Sequence, residues 1–244
     1  GMEKIGIVAL AWYDSGARSF YNSKTPIMKP SDVSGLKVRV MNNELYSGMI
    51  SALGGNPSPM AFSEVYQALK TGVVDGAENN WPSYESTGHF EVAKYYSLSQ
   101  HLIIPECVCI NAKIYNGLSS SDKKAIKEAA RESANLQREL WAKRAISSRE
   151  KVMKAGVKFN EIPNKKAFMD AMQPVHSKYL KSNPEINLIM PSKVNFSKDK
   201  KYKSKNLILN SPQQPISVKK QPKYNIFRWA RRNSSSVYCY KWHL

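Results

Sequence analysis

Acidic residues are scarce in this chain. Its 244 residues hold 19 Asp and Glu against 37 Lys and Arg, a formal net charge of +18 at pH 7. An excess of that size invites a nucleic-acid partner, but its distribution argues against one. Residues 191–244 carry 13 of the basic residues and a single acid, Asp199, so the first 190 hold 24 basic against 18 acidic and are only mildly basic. Cysteine is limited to Cys107, Cys109 and Cys239. Cys107 and Cys109 stand two apart on one side of an extended segment, with no Cys-x-x-Cys loop and no histidine nearby in sequence. That disfavours metal or redox chemistry and predicts two small core residues. His89, His101, His176 and His243 are scattered, and there is no Gly-rich phosphate loop or activated nucleophile. No enzyme, cofactor or metal is therefore expected. Long apolar runs are missing as well, which excludes a membrane-spanning helix. No secretory leader opens the sequence; Gly1 ahead of Met2 reads as a tag-cleavage scar.

What is present is the composition of a folded protein. Apolar residues make up 42% and aromatics 10%, too much for wholesale disorder and enough for one large domain or two small ones. Residues 5–12 (IGIVALAW) form a continuous apolar run, expected to be a strand buried on both faces. A polar turn at 14–18 follows, then a loop punctuated by Pro26, Pro30 and Gly35, then a strand over Lys37–Met41. Residues 44–53 read as a helix closed by Gly54-Gly55. Ser63 is the expected N-cap of a second helix, Glu64–Thr71, with a strand over Val73–Gly76 behind it. A further strand is expected at 102–111. From Ser119 to Ala155 no Pro or Gly interrupts, which predicts a helix long enough to brace two lobes. A coiled coil is the competing reading, but no heptad is sustained. A last amphipathic helix, roughly Lys165–Leu180, is interrupted at Pro174. The alternation of strands and helices means α/β architecture.

Within this frame one residue stands out. Arg39 sits in the apolar strand pattern Val38-Arg39-Val40, and a guanidinium there is expensive to bury unless an anion meets it. Its planar fork fits a carboxylate through two parallel hydrogen bonds. The anion could be a small carboxylic acid or a protein side chain such as Glu78, and the residues alone leave both open. Read by themselves, Arg18 is a solvated turn arginine, Asn79 and Asn80 are turn formers, and Phe62 is core.

The motifs SGARSFYN (15–22), GLKVRVMN (35–42), LGGNPSPM (53–60) and FSEVYQALKTGVVDGAEN (62–79), followed by the LSSSD start of the long helix, resemble the solute-binding receptors of TRAP transporters, the DctP-like family. The resemblance covers residues 5–189. It implies a two-lobe, periplasmic-binding-protein-like α/β fold with a long helix crossing both lobes. It also implies a small organic acid bound between them, and transporter membrane subunits as partners. On its motifs Arg39 is the expected carboxylate anchor, Arg18 and Asn79 are polar contacts, and Phe62 packs on the ligand's carbon skeleton. Asn42, Asn80 and Trp81 stand beside these positions. The segment AENNWPSY (77–84) is more similar to the receptors for hexuronates and related sugar acids than to the C4-dicarboxylate type. Two amides and an indole suit a polyhydroxylated ring.

Against the family pattern, a long segment is expected ahead of Ile5, so the first lobe is expected to be incomplete. Residues 1–189 are read as the solute-binding region and 190–244 as a basic tail, disordered or frameshifted. The alternatives are a remnant without ligand binding and a C4-dicarboxylate ligand. Exposed lobe surface predicts aggregation or dimerisation. The family is periplasmic, whereas this sequence shows no signal peptide.

Overall fold

The strand expected to be buried on both faces is only half covered. It runs as β1 (Ile7–Tyr13) and pairs antiparallel with β7 (Glu106–Asn111) in a two-stranded sheet. Val8 and Ala11 are buried, but Trp12 is 46% exposed. The computed structural model describes residues 2–184. The expectations for the basic tail and the boundary at 189/190 lie outside the described residues.

The second sheet has six strands in the order β4-β3-β5-β2-β6-β8. They are β2 (Ala17–Asn22), β3 (Lys37–Val40), β4 (Asn56–Pro59), β5 (Gly76–Asn79), β6 (Tyr95–Ile103) and β8 (Lys158–Glu161). β3 is parallel to both β4 and β5, whereas β2 runs antiparallel to β5 and β6. Gly76 is required where β5 meets β2, because a Cβ there would stand 2.5 Å from the Tyr21 carbonyl oxygen.

Helices cover both faces. α1 (Glu44–Ala52) is capped by Asn43, whose side chain accepts from the Leu45 N–H, and it ends where Gly54 takes φ +78°. α2 (Val65–Lys70) starts later than expected. Phe62–Glu64 form a 3-10 turn, and the Glu64 carboxylate accepts from the Ala61 N–H at 3.1 Å, so Ser63 is not the cap. The strand expected at Val73–Gly76 lies three residues further on, as β5. Val74 enters the core instead, and Asp75 accepts the Lys37 N–H. The strand expected at 102–111 is two strands, β6 and β7, broken at Ile104-Pro105 because proline lacks the N–H a ladder needs.

The long helix is α6 (Ser120–Lys154), 35 residues, capped by Ser119. It packs against β1 at one end and against α3 (Trp81–Ser86) further along. There buried Glu85 takes hydrogen bonds from Arg144 and Lys151 of α6. Ahead of α6 lie α4 (His89–Val92) and the short α5 (Ala112–Asn116). The last predicted helix is split at Met172 into α7 (Lys165–Ala171) and α8 (Gln173–Ser182), with Pro174 tolerated in the first turn of α8. No helix among the described residues is long and apolar enough to cross a membrane. Two cores flank the six-stranded sheet. One gathers Tyr21, Val65, Leu69, Tyr84 and Tyr96, the other Phe20, Val38, Val40, Tyr46 and Ile50.

Candidate functional site

Three parallel strands, β3, β4 and β5, end side by side, and the segments leaving them line a cavity of about 450 Å³. Met41 and Asn42 follow β3; Pro59, Met60, Ala61 and Phe62 end or follow β4; Asn79 closes β5; Arg18 enters from β2. The carboxyl ends of parallel strands are where open α/β sheets hold their ligands, because loops and helix starts converge there.

Arg18 does not occupy a solvated turn. The turn ends at Gly16, whose N–H donates to the Asp14 carboxylate at 2.7 Å, and Arg18 is a strand residue only 4% exposed. β2 and β5 pair Phe20 with Glu78, which brings Glu78 diagonally beside Arg18 on one face of the sheet. Nε and Nη2 of Arg18 donate to the two carboxylate oxygens at 2.6 and 2.7 Å, Nη2 also to the Glu78 carbonyl at 2.7 Å, and Nη1 to Asn79 Oδ1 at 2.8 Å. Burial by itself would raise the Glu78 carboxyl, but the charge and hydrogen bonds of Arg18 outweigh it and hold the group below the ordinary carboxylate range. For Arg18 the same pairing overcomes burial and raises its pKa. His101 stacks on Phe20 with centroids 4.3 Å apart and places Nε2 3.5 Å from Glu78.

Arg39, 3% exposed, has a different environment. Nε and Nη2 donate to one carbonyl, that of Met60, at 3.2 and 2.8 Å, and the guanidinium lies 5.7 Å from the centroid of Phe62. No ion pair to Arg39 is found among the described residues. The pairing of Arg39 with Glu78 that the sequence left open is not formed; Arg18 takes that carboxylate. Burial, together with the Arg18 charge, lowers the Arg39 pKa despite the opposing pull of Tyr21 and Glu78. The same burial, with Arg39 nearby, pushes His89 down to about 4. His89 is fully buried, its Nδ1 2.7 Å from the Tyr21 hydroxyl and its ring edge-on to Phe62.

Of the seven residues the sequence singled out, Arg18, Arg39, Asn42, Phe62 and Asn79 line one cavity. Asn79 uses Oδ1 to accept from Arg18 and from the Asn80 N–H, which leaves its amide nitrogen as the donor on that side. Phe62 is 40% exposed rather than core. Asn80 and Trp81 do not line the cavity. Asn80 caps α3, accepting from Ser83 N–H, and its Nδ2 donates to the Ser15 carbonyl at 2.9 Å. Trp81 stacks on Tyr96 at 3.6 Å against the core. Sequence reasoning missed Glu78 as the partner of Arg18 and the Met60 carbonyl as the brace of Arg39. The only sequence signal for the first is that Glu78 adjoins Asn79.

Fold and cavity together define an α/β binding protein whose cavity wall carries a cation. Residues 1–183 match the family of bacterial extracellular solute-binding proteins, family 7 (DctP), and the chain belongs to that family. A solute-binding protein of Chromohalobacter salexigens is 53% identical over 184 residues, 75% of this chain and 55% of that protein. A TRAP periplasmic solute-binding protein of Roseobacter denitrificans, solved with bound β-D-glucuronate, is 66% identical with a TM-score of 0.76 over 78% of this chain and 63% of its own. One of Sulfitobacter sp. NAS-14.1, solved with bound β-D-galacturonate, is 60% identical with a TM-score of 0.75 over 77% and 63%. The mixed α/β architecture agrees with these structures. The chain spans about 55% of the length of that first relative and 63% of these structures.

Proposed function

We propose that this chain is the anion-holding part of a receptor that binds a small organic carboxylate of the hexuronate type and delivers it, in the periplasm, to the membrane subunits of a TRAP transporter. The observation that carries the reading is Arg39: a buried guanidinium at the wall of a ligand-sized cavity, with no carboxylate partner among the described residues. An uncompensated buried cation is destabilising until an anion arrives, and arginine meets a carboxylate through two parallel hydrogen bonds. Asn42 and Asn79 add amides that can serve ring hydroxyls, and Phe62 offers a face to C–H groups. The uronates held by the two similar structures support the ligand class. The site works by binding and release, without a chemical step.

A thermal-shift panel tests this: D-glucuronate, D-galacturonate, D-gluconate, succinate and neutral D-glucose. The expected result is saturable stabilisation by a uronate, absent with glucose and abolished by Arg39→Ala. No shift from any acid at millimolar concentration would make the chain a remnant without ligand binding. Stabilisation by succinate alone would assign it to C4-dicarboxylates.

A further inference from the structure

Besides α6, two short backbone crossings join the two sheets: β1 to β2 at residues 14–16, and β6 to β7 at residues 104–105. The first is held from both sides by side chains distant in sequence. Gln137 of α6 spends both ends of its amide on Asp14: Oε1 accepts the Asp14 N–H at 2.9 Å, and Nε2 donates to the Asp14 carbonyl at 2.8 Å. A neighbouring antiparallel strand would satisfy the same two groups, so a helix side chain stands in for a strand. One residue on, Nδ2 of buried Asn80 donates to the Ser15 carbonyl at 2.9 Å while its Oδ1 caps α3. Trp141 of α6 lies over Gly16, so close that a Cβ there would stand 3.0 Å from the indole nitrogen. The supports are themselves tied together, because Glu85 of α3 takes hydrogen bonds from Arg144 and Lys151, the first about two turns beyond Gln137. Link, α3 and α6 thus close a triangle.

The second crossing has no such frame. Pro105 lacks an N–H, and among the described residues Ile104 makes no backbone–backbone bond outside the ladders. Ile103 is 71% exposed. β6 reaches this point through an irregular stretch, where Gln100 takes φ +49° and the ladder with β2 shifts register between Arg18 and Phe20. Glu106, just beyond, accepts from Ser15 Oγ at 3.4 Å, a long bond. We infer that the joint between the sheets is asymmetric: the link at 14–16, strapped by Gln137 and Asn80, is its fixed side, and the crossing at Ile104-Pro105 is the side that gives. Opening the link breaks the Gln137 and Asn80 bonds together, whereas opening the crossing costs no such bond. Motion of one sheet against the other is then a rotation about the link, with the change in backbone angles taken up at 103–105. Asn80 and Gln137 are positioning residues of this joint and line no part of the Arg39 cavity. The inference goes beyond the receptor reading and holds whatever acid the cavity takes.

Amide hydrogen exchange on the natural chain, followed by NMR at neutral pH, tests it. Corrected for intrinsic rates, the Asp14 N–H is expected to be protected at least about a hundredfold more than that of Ile104. Gln137→Met keeps the helix propensity and removes both bonds to Asp14. It should speed exchange at Asp14 at least about tenfold, with Ile104 and the β3 amides changed by less than about twofold. Asn80→Ser keeps a cap for α3 without the reach to Ser15, and should speed Asp14 in the same selective way. A merely structural role would instead speed the β3 amides along with Asp14. If Asn80→Ser does not fold, the natural chain and Gln137→Met still decide. Equal protection of Asp14 and Ile104 in the natural chain, or an acceleration in Gln137→Met that spreads through β3, overturns the asymmetric joint and leaves the receptor reading standing. A thermal-shift panel without response overturns the receptor reading and leaves the joint standing.

Discussion

Arg18 and Arg39 lie in one sheet, each at most 4% exposed, yet their surroundings are opposite. Arg18 is held by a carboxylate that β5 brings to it, and nearly all its donors are used inside the protein. Arg39 is held by a single carbonyl and a half-exposed ring, and most of its donors are unspent. Burial alone does not tell the two apart; the census of partners does, and it is what supports the anchoring role proposed for Arg39. The contrast separates a rigid half of the site, built from β2 and β5, from a receptive half at the ends of β3 and β4.

The largest effect should come from breaking the rigid half. Glu78→Ala leaves the Arg18 charge buried and unpaired, and urea unfolding should show a loss of about 3–5 kcal/mol. A loss below about 1 kcal/mol would mean the pair contributes little and would blur the contrast.

Acidification separates the halves by another route. Burial and the neighbouring Arg39 charge depress His89 from 6.5 to about 4, so the unfolded chain binds that proton first. This contribution to stability is complete above about pH 6.5, declines as pH falls and levels near pH 4, a loss of about 3 kcal/mol over the window. His89→Gln should flatten the slope of stability against pH. Glu78, whose pKa is lowered, adds its own loss only at lower pH, as its folded pKa is approached. A slope equally steep in His89→Gln would contradict the assignment.

Crowding the seam of the rigid half should cost somewhat less. Gly76→Ala pushes a Cβ against the Tyr21 carbonyl and should destabilise by about 1–3 kcal/mol in the same unfolding assay, without changing which acid is preferred. The smallest effect belongs to Phe62. Removing its ring in Phe62→Ala should weaken uronate binding by about 0.5–1 kcal/mol in calorimetry, with little change in stability, because the ring is half exposed. A stability loss larger than the binding loss would move Phe62 from the receptive half into the core.

The sequence made parts of this layout legible and hid others for a physical reason. The strand carrying Arg39, the helix after Asn43 and the 35-residue helix capped by Ser119 depend on local periodicity and caps, and they lie where the spacing predicts. Arg18 was misread because its partner is sixty residues away, and only strand pairing of Phe20 with Glu78 brings the two together. Val73 and Val74 look like a strand, but the close approach that only Gly76 permits places β5 further on. Asn80 and Trp81 share a polar, aromatic corner with Asn79, and nothing local tells a helix cap or a stacking residue from a cavity wall.

The central claim is that Arg39 is held unpaired for a ligand. Arg39→Met tests it when stability and affinity are measured on the same preparation by urea unfolding and by calorimetry with D-glucuronate. The account predicts stability within about 1 kcal/mol of the natural chain, since the hydrogen bonds to the Met60 carbonyl that are lost are offset by removal of a buried, uncompensated charge. It predicts affinity weaker by at least about a hundredfold, near 3 kcal/mol. Unchanged affinity in a folded Arg39→Met protein would contradict it.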